Sequence, residues 1–583
     1  MKYFLALHIF LLLHAQNYKW PTDASYGLTS AFAEYRENRF HAGIDISTWN
    51  KEGYKVFAID TGYVYRIWTQ PYGYGRALYI KLNDGRIVVY GHLQRYSKKI
   101  ESYIRSIQVR EKKYNQNVYL RRNQIPVSKG EVVALTGSTG IGTPHLHFEI
   151  RENMNTNLHT LQFYPWFKDN IYPSVAALAA VSLDDTTLVN GNRVFTDIKL
   201  KEIKKHMFQA MDTLRIDGKA GLTINVYDQN YKSSNTTGVD ELSLFINGEL
   251  VFNSRFRETL YSKNHYVNLD RNFFFVKYYG KRYQNLFLHP DNKLDAYIQS
   301  EKAFLSTENI GSNVFDYRII VSDYKKNQIE ISGSAKFEEQ EESYQPLEIK
   351  EIFQNNPLFY NNHLISVTNG KPENTDQLAG IIYWDKTTDN RYDAGDFRFV
   401  TDQSDLYQST FVTHFELDKS LFPTVDYKSA IIYFVPYDLL LKNRITVQHL
   451  GELGDREAIY SWDERKKRWD FRRFDYGADI QQITERSLEL YTVIKDTVPP
   501  AIRFVSTKKS KTLFLVSVDD DLSGIHDEEN YELFSGDQKI IAEYDYEDNV
   551  LRIEPDDIQR NQYLKIYLRD NVGNYTADSL FVK

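Results

Sequence analysis

The chain has 583 residues, of which 42% are hydrophobic and 26% charged, and its formal net charge is −7. That size predicts several globular domains, roughly four at about 150 residues each, and the mildly acidic balance does not favour nucleic acid as a partner. Cysteine is absent, which excludes disulfides, thiolate zinc sites, a cysteine nucleophile and a lipid-modified amino-terminal cysteine.

Stability must therefore come from core packing, and 44 Tyr with 34 Phe in strand-like patterns predict a mainly β architecture. At the start, Met1 to Ala15 carries one early lysine and the apolar runs Phe4 to Leu7 and Ile9 to Leu13. This reads as a secretory signal peptide, since the run is well short of the ~20 residues a membrane span needs. No later stretch reads as a transmembrane segment. The expectation is a chain exported across the inner membrane to the periplasm, envelope or exterior.

Residues 25 to 95 alternate short apolar runs with glycine turns. Asn83-Asp84-Gly85, between Arg76–Leu82 and Arg86–Tyr90, predicts a hairpin whose second strand runs into Gly91-His92. Gly43 inside His41-Ala42-Gly43-Ile44-Asp45 predicts a bend entering a strand. The next segment, about 94–128, reads as an insertion. Ile100, Tyr103, Ile104 and Ile107 have helical spacing. From Gln94 to Lys129 there are ten Lys and Arg against Glu101 and Glu111. This is an electropositive rim that attracts an anionic polymer, a lid that gates the cleft, or an ordinary solvated helix face.

Residues 136 to 150 are the centre of the chain. A glycine-rich turn leads through Pro144 into His145-Leu146-His147-Phe148-Glu149-Ile150, a strand pattern with His145, His147 and Glu149 on one face. Two imidazoles on one pleat can share a metal ion, or one can bind it while the other handles a proton. His41 and Asp45 add a nitrogen and an oxygen. With His147 they make a three-ligand set that leaves a fourth position open, the pattern of a catalytic zinc. His92 and His145 remain for proton transfer and oxyanion stabilisation.

In that order, His-x-x-x-Asp, Tyr90-Gly91-His92-Leu93 and Gly137-Ser138-Thr139-Gly140 followed by Pro144-His145-Leu146-His147-Phe148-Glu149 resemble the lysostaphin-type or LytM-type zinc endopeptidases. Flanking segments match as well, among them Val56 to Val64 and Lys129 to Leu135. The resemblance covers roughly residues 25 to 155, about a quarter of the chain. It implies one zinc ion held by His41, Asp45 and His147, with His92 and His145 as catalytic histidines. It also implies a peptide of bacterial peptidoglycan as substrate. Glu149 stays unassigned, as a support for the site or a plain outward strand residue. Members that only regulate other wall enzymes lack one or more of the five residues; this chain lacks none.

The expected architecture is a LytM-type antiparallel β domain at 16–170 with a partly helical insertion. A β-sandwich-like domain at 171–340, a β-rich domain at 347–493 and an immunoglobulin-like domain at 494–583 follow it. Asn247-Gly248 predicts a type I′ hairpin, and the acidic stretch Glu338 to Glu342 before Pro346 reads as a linker. Asp385, Asp389, Asp393 and Asp396, or Asp519 to Asp521, are candidates for calcium sites, but neither stretch has the ligand spacing of an EF-hand loop with its closing Glu, so turns and strand ends are the preferred reading. His206, His265, His289, His363, His414, His449 and His526 are scattered and left unassigned. The leading expectation is a secreted zinc endopeptidase of peptidoglycan cross-links, with possible envelope protein partners for its β modules. The alternative is a non-catalytic envelope-binding or regulatory scaffold.

Overall fold

The computed structural model describes residues 18–340 and 382–583, apart from 37, 185–186, 193, 231–234, 408, 436–438, 473–481 and 506–513, and also short paired strands at 367–368 and 371–372. The leader expected at 1–15, and the expected linker beyond Gln340, lie outside the described residues. The chain is mainly β and built largely from antiparallel sheets. Among the described residues, no helix is long and apolar enough to cross a membrane.

The first sheet orders its strands Leu28–Ser30, Ile44–Ser47, His145–Arg151, Ile87–Gly91, Arg76–Leu82, Gly62–Thr69 and Gln116–Tyr119. The three motif-bearing segments are thus neighbours at its centre although they are far apart in sequence. Strand periodicity divides His145–Arg151 cleanly. Leu146, Phe148 and Ile150 are fully buried in a core with Ile44, Ile46, Val88 and Tyr90. The opposite face carries His145, His147 and Glu149. A second sheet of Lys55–Phe57, Val132–Thr136 and Leu93–Tyr96 continues from His92.

Both expected hairpins form. Gly85 takes φ +97 in the first, and Asn247 and Gly248 take φ +48 and +82 in the second, as a type I′ turn requires. The expected helix is Lys98–Glu111, which buries Ile100, Ile104 and Gln108 against the sheet.

Beyond residue 170 the chain builds further, mostly antiparallel layers. One sheet centres on Ser174–Ser182 and Ala220–Gln229, and another on Val314–Ser322 and Gln328–Phe337. Strand Glu258–Leu260 crosses over to pair with Thr156–Leu158, so the first sheet recruits an edge strand from a hundred residues downstream. A seven-stranded and a four-stranded sheet follow, and the chain ends in two four-stranded sheets around Val516, Leu533, Leu551 and Ile566.

That terminal sandwich packs back on the first sheet. Arg76 Nη2 meets Glu543 at 3.0 Å and Arg76 Nη1 meets Glu101 at 3.2 Å, with the Arg76 and Glu543 side chains each only 9% exposed. Removing one partner of such a pair leaves an uncompensated buried charge. Glu543→Gln should therefore lower stability by about 3 kcal/mol, seen as a lower midpoint in denaturant unfolding followed by tyrosine and tryptophan fluorescence. An unchanged midpoint would contradict the buried pairing.

Candidate metal centre and catalytic site

The register of three adjacent strands builds the site. His147 lies opposite Asp45 on one side and Gly91 on the other, and His145 lies opposite Ser47. Gly43 allows the first pairing, because a Cβ there would stand 2.2 Å from the Phe148 carbonyl oxygen. His92 follows directly after Gly91 with a left-handed backbone, φ +57. A non-glycine residue seldom adopts that conformation, which is a feature of sites held under local strain.

Three donor atoms form a small triangle. His41 Nε2 lies 3.1 Å from Asp45 Oδ1 and 3.1 Å from His147 Nδ1, and the latter two are 2.8 Å apart. Each imidazole is anchored through its other nitrogen. His41 Nδ1–H donates to the Ala31 carbonyl at 2.7 Å, and His147 Nε2–H donates to Glu149 Oε1 at 2.7 Å. Both ring lone pairs therefore point at the same place as a carboxylate oxygen. Two imidazole nitrogens and one carboxylate oxygen, with the remote N–H groups fixed by a carbonyl and a carboxylate, is the donor chemistry that suits a divalent zinc-like ion. Burial opposes ionisation of Asp45, yet His41 and His145 and the hydrogen bonds from His147 and His41 hold its carboxyl well below the usual range.

The other two histidines stand beside the triangle. His92 Nδ1–H donates to the Thr139 carbonyl at 2.9 Å, which leaves Nε2 as an acceptor. Burial, with His145 and His147 nearby, pushes its pKa well below the ordinary imidazole value, so His92 is neutral near pH 7. His145 Nδ1–H donates to the Thr143 carbonyl at 2.7 Å, and its Nε2 lies 3.6 Å from Asp45 Oδ1. The His92 and His145 rings are 4.4 Å apart. The structure thus brings His41, Asp45, His92, His145 and His147 together.

Sequence reading missed the residues that support them. Glu149 is fully buried, receives hydrogen bonds from His147 and from Tyr74 at 2.6 Å, and is paired with Arg151. Burial alone would raise its pKa, but Arg151 and His147 hold it far below the carboxylate norm. Arg151 is fixed in turn by Tyr261, whose hydroxyl accepts from Nη2 at 2.7 Å. Arg36 Nη2 contacts Asp45 Oδ2 at 3.1 Å from the opposite side. Strand alternation gives a hint of Glu149 only; no sequence signal connects Tyr261 to the site. His159 is buried 3.3 Å from Asp240, away from this group, and His363 lies outside the described residues.

The basic segment has two fates. Two of its arginines are engaged by the terminal sandwich, Arg95 with Glu554 at 3.2 Å and Arg105 with Asp557, and Glu528 of the sandwich accepts from Tyr114 N at 2.8 Å. Lys98, Lys99, Lys112 and Lys113 stay exposed. The same sandwich reaches the mouth of the site, where Tyr72 stacks on His526 with ring centroids 4.9 Å apart. Glu547 accepts from Gly142 N at 3.0 Å, three residues before His145.

No family model matches the chain, and no curated protein matches it. Solved structures similar over part of it include the catalytic domain of a prophage-encoded M23 protein from Enterococcus faecalis, 24% identical, covering 21% of this chain and 79% of that one with a TM-score of 0.15. The catalytic domain of lysostaphin from Staphylococcus simulans is 24% identical and covers 24% of this chain and 82% of that one, with a TM-score of 0.16. A zinc-containing peptidase from Vibrio cholerae is 27% identical and covers 22% of this chain and 35% of that one, also with a TM-score of 0.16.

Because Glu149 orients His147, Glu149→Gln should weaken zinc affinity by roughly 10–100-fold; the buried Arg151 it leaves unpaired should also lower the unfolding midpoint, so affinity is measured where the variant is folded. Competition with a chromophoric chelator measures this. Wild-type affinity in the variant would remove Glu149 from the site.

Proposed function

We propose that the amino-terminal part of the chain, about residues 16–170, is a zinc-dependent endopeptidase that hydrolyses peptide cross-links of bacterial peptidoglycan outside the inner membrane. The observation that carries this reading is the triangle of His41 Nε2, Asp45 Oδ1 and His147 Nδ1 with two further histidines beside it. The apolar leader supports the location, and the ordered motifs support the substrate class.

His41, Asp45 and His147 would hold the ion, which supplies a water of lowered pKa and polarises the scissile carbonyl. The chain's own groups do the rest. His92, neutral and with a bare Nε2, takes a proton from the attacking water. His145, whose Nδ1–H is held by the Thr143 carbonyl, turns its Nε2 to the same site. When doubly protonated it hydrogen-bonds the developing oxyanion and gives the Nε2 proton to the leaving amine, and the proton His92 took from water, passed across the 4.4 Å between the rings, restores both histidines. Glu149 and Arg151 keep the His147 ring in place from beneath. The β modules then position this site in the envelope through protein partners. A second reading, a non-catalytic envelope scaffold, draws on the terminal sandwich lying across the Tyr72 and Gly142 rim.

Purified protein supplied with zinc should release new peptide ends from intact sacculi, identified by mass spectrometry. His145→Ala should keep its zinc and lose activity by 10²-fold or more, on the order expected for removal of a proton-transfer group. His41→Ala should lose both. Zinc-loaded wild type that releases nothing would overturn the enzyme reading in favour of the scaffold.

A further inference from the structure

Two other carboxylate groups lie outside the histidine site. Asp169, Asp228 and Asp323 each offer an oxygen within 4.8 Å of the others, and so do Asp496, Asp520 and Asp570. The two groups are built alike. In each, one aspartate precedes the first strand of a β-sandwich, at Asp169 before Ser174–Ser182 and at Asp496 before Ala501–Phe504. A second stands at a strand end, Asp228 in Ala220–Gln229 and Asp520 just after Phe514–Asp519. The third opens the turn of the last hairpin, in Asp323 to Asn327 and Asp570 to Asn574.

The repetition extends to single atoms. Asn327 N donates to Asp323 Oδ1 at 2.8 Å, and Asn574 N donates to Asp570 Oδ1 at 2.8 Å. The asparagine amides also reach the carbonyl of the entering aspartate, Asn327 to Asp169 at 3.3 Å and Asn574 to Asp496 at 3.0 Å. Asp169 Oδ1 accepts from Ile171 N and Asp496 Oδ1 from Val498 N, both at 3.0 Å. The sequences around these residues show only an Asp-x-x-x-Asn pattern, which reads as a turn.

Hydrogen bonding does not complete either group. Asp228 is 6% exposed and its Oδ1 has no hydrogen-bond partner; Asn574, 2% exposed and bonded to Asp496 and Asp570 through its amide nitrogen, has an orphaned Oδ1. Among the described residues, no Lys or Arg ion pair neutralises Asp228, Asp323, Asp496, Asp520 or Asp570. Burial and repulsion from neighbouring carboxylates push Asp228 up to about 8, and push Asp323 and Asp520 up to about 6. A hard cation with all-oxygen ligands removes that conflict, whereas a nitrogen-preferring ion finds no imidazole here.

We propose that Asp169–Asp228–Asp323 and Asp496–Asp520–Asp570 are two calcium-class cation sites that clamp the entering chain to the last hairpin of each sandwich. The first site would fix the junction between the proposed peptidase part and the sandwich after it. The second would fix the terminal sandwich that lies against the peptidase rim. Neither depends on the endopeptidase reading.

Equilibrium dialysis of the full-length, zinc-loaded protein against calcium chloride tests this. Two calcium ions per chain should bind below millimolar concentration, in preference to magnesium. Asp228→Asn and Asp520→Asn should each lose one ion, and the double variant both. His41→Ala should keep both calcium ions, which separates these sites from the histidine centre. Without calcium, each Asn variant should melt at or above the wild-type temperature, because a repulsive charge is gone. With calcium, the wild type should gain several degrees, each single variant less, and the double variant nothing. No calcium bound at millimolar concentration, or unchanged stoichiometry in both single variants, would overturn the proposal and leave a shared proton as what keeps the carboxylates together.

Discussion

The candidate site depends on one constraint, the pairing register of His145–Arg151 between Ile44–Ser47 and Ile87–Gly91. A shift of one residue would turn His145, His147 and Glu149 into the core and expose Leu146, Phe148 and Ile150. Burial of those three apolar side chains therefore fixes the ligand geometry as well as the fold. Gly43 contributes by letting the His41 segment approach the Phe148 carbonyl, and the left-handed turn at His92 brings a fourth ring over the same point. The chemistry is assembled by hydrophobic alternation and spent on polar atoms at the other face.

Electrostatics completes what the register begins. Asp45, Glu149 and Arg151 are buried and charged, a combination that is stable only when each has partners. Asp45 faces two imidazoles and Arg36; Glu149 faces His147, Tyr74 and Arg151; Arg151 faces Tyr261. The network reaches out of the first sheet into the chain around Tyr261, and the Arg76–Glu543 pair ties that sheet to the terminal sandwich. Site and downstream modules are thus parts of one electrostatic structure.

Much of this was legible in the sequence, for identifiable reasons. Asn-Gly and Asp-Gly turns between alternating strands specify hairpins locally, so Asn83 to Gly85 and Asn247-Gly248 were readable. The spacing of Ile100, Ile104 and their neighbours showed the helix at Lys98–Glu111. The five polar residues stood out because histidine is rare and three short motifs carried four of them. Glu149 was not assignable, since a half-polar strand face presents the same alternation whether or not its carboxylate supports a ligand. Tyr261 and Glu258–Leu260 are linked to the site only by tertiary pairing, which leaves no local pattern. The charge pattern of the basic segment suits a rim, a lid or a solvated face, and none of these carries a signal for the carboxylates of Glu554 and Asp557 that meet Arg95 and Arg105. Asp519 to Asp521 were read as a turn; Asp520 does accept Leu522 N and Gly524 N there, while facing two distant aspartates.

The central claim is that His41, Asp45 and His147 hold one ion and leave a position open. X-ray absorption at the zinc edge on the loaded protein measures this most directly. The account predicts two imidazole nitrogens and oxygen ligands at about 2.0–2.2 Å, with four-fold coordination completed by solvent; the spectrum should lose one imidazole in His147→Ala and stay unchanged in His145→Ala. A shell with three or four imidazoles, closed by His92 or His145, would contradict it and make the centre structural.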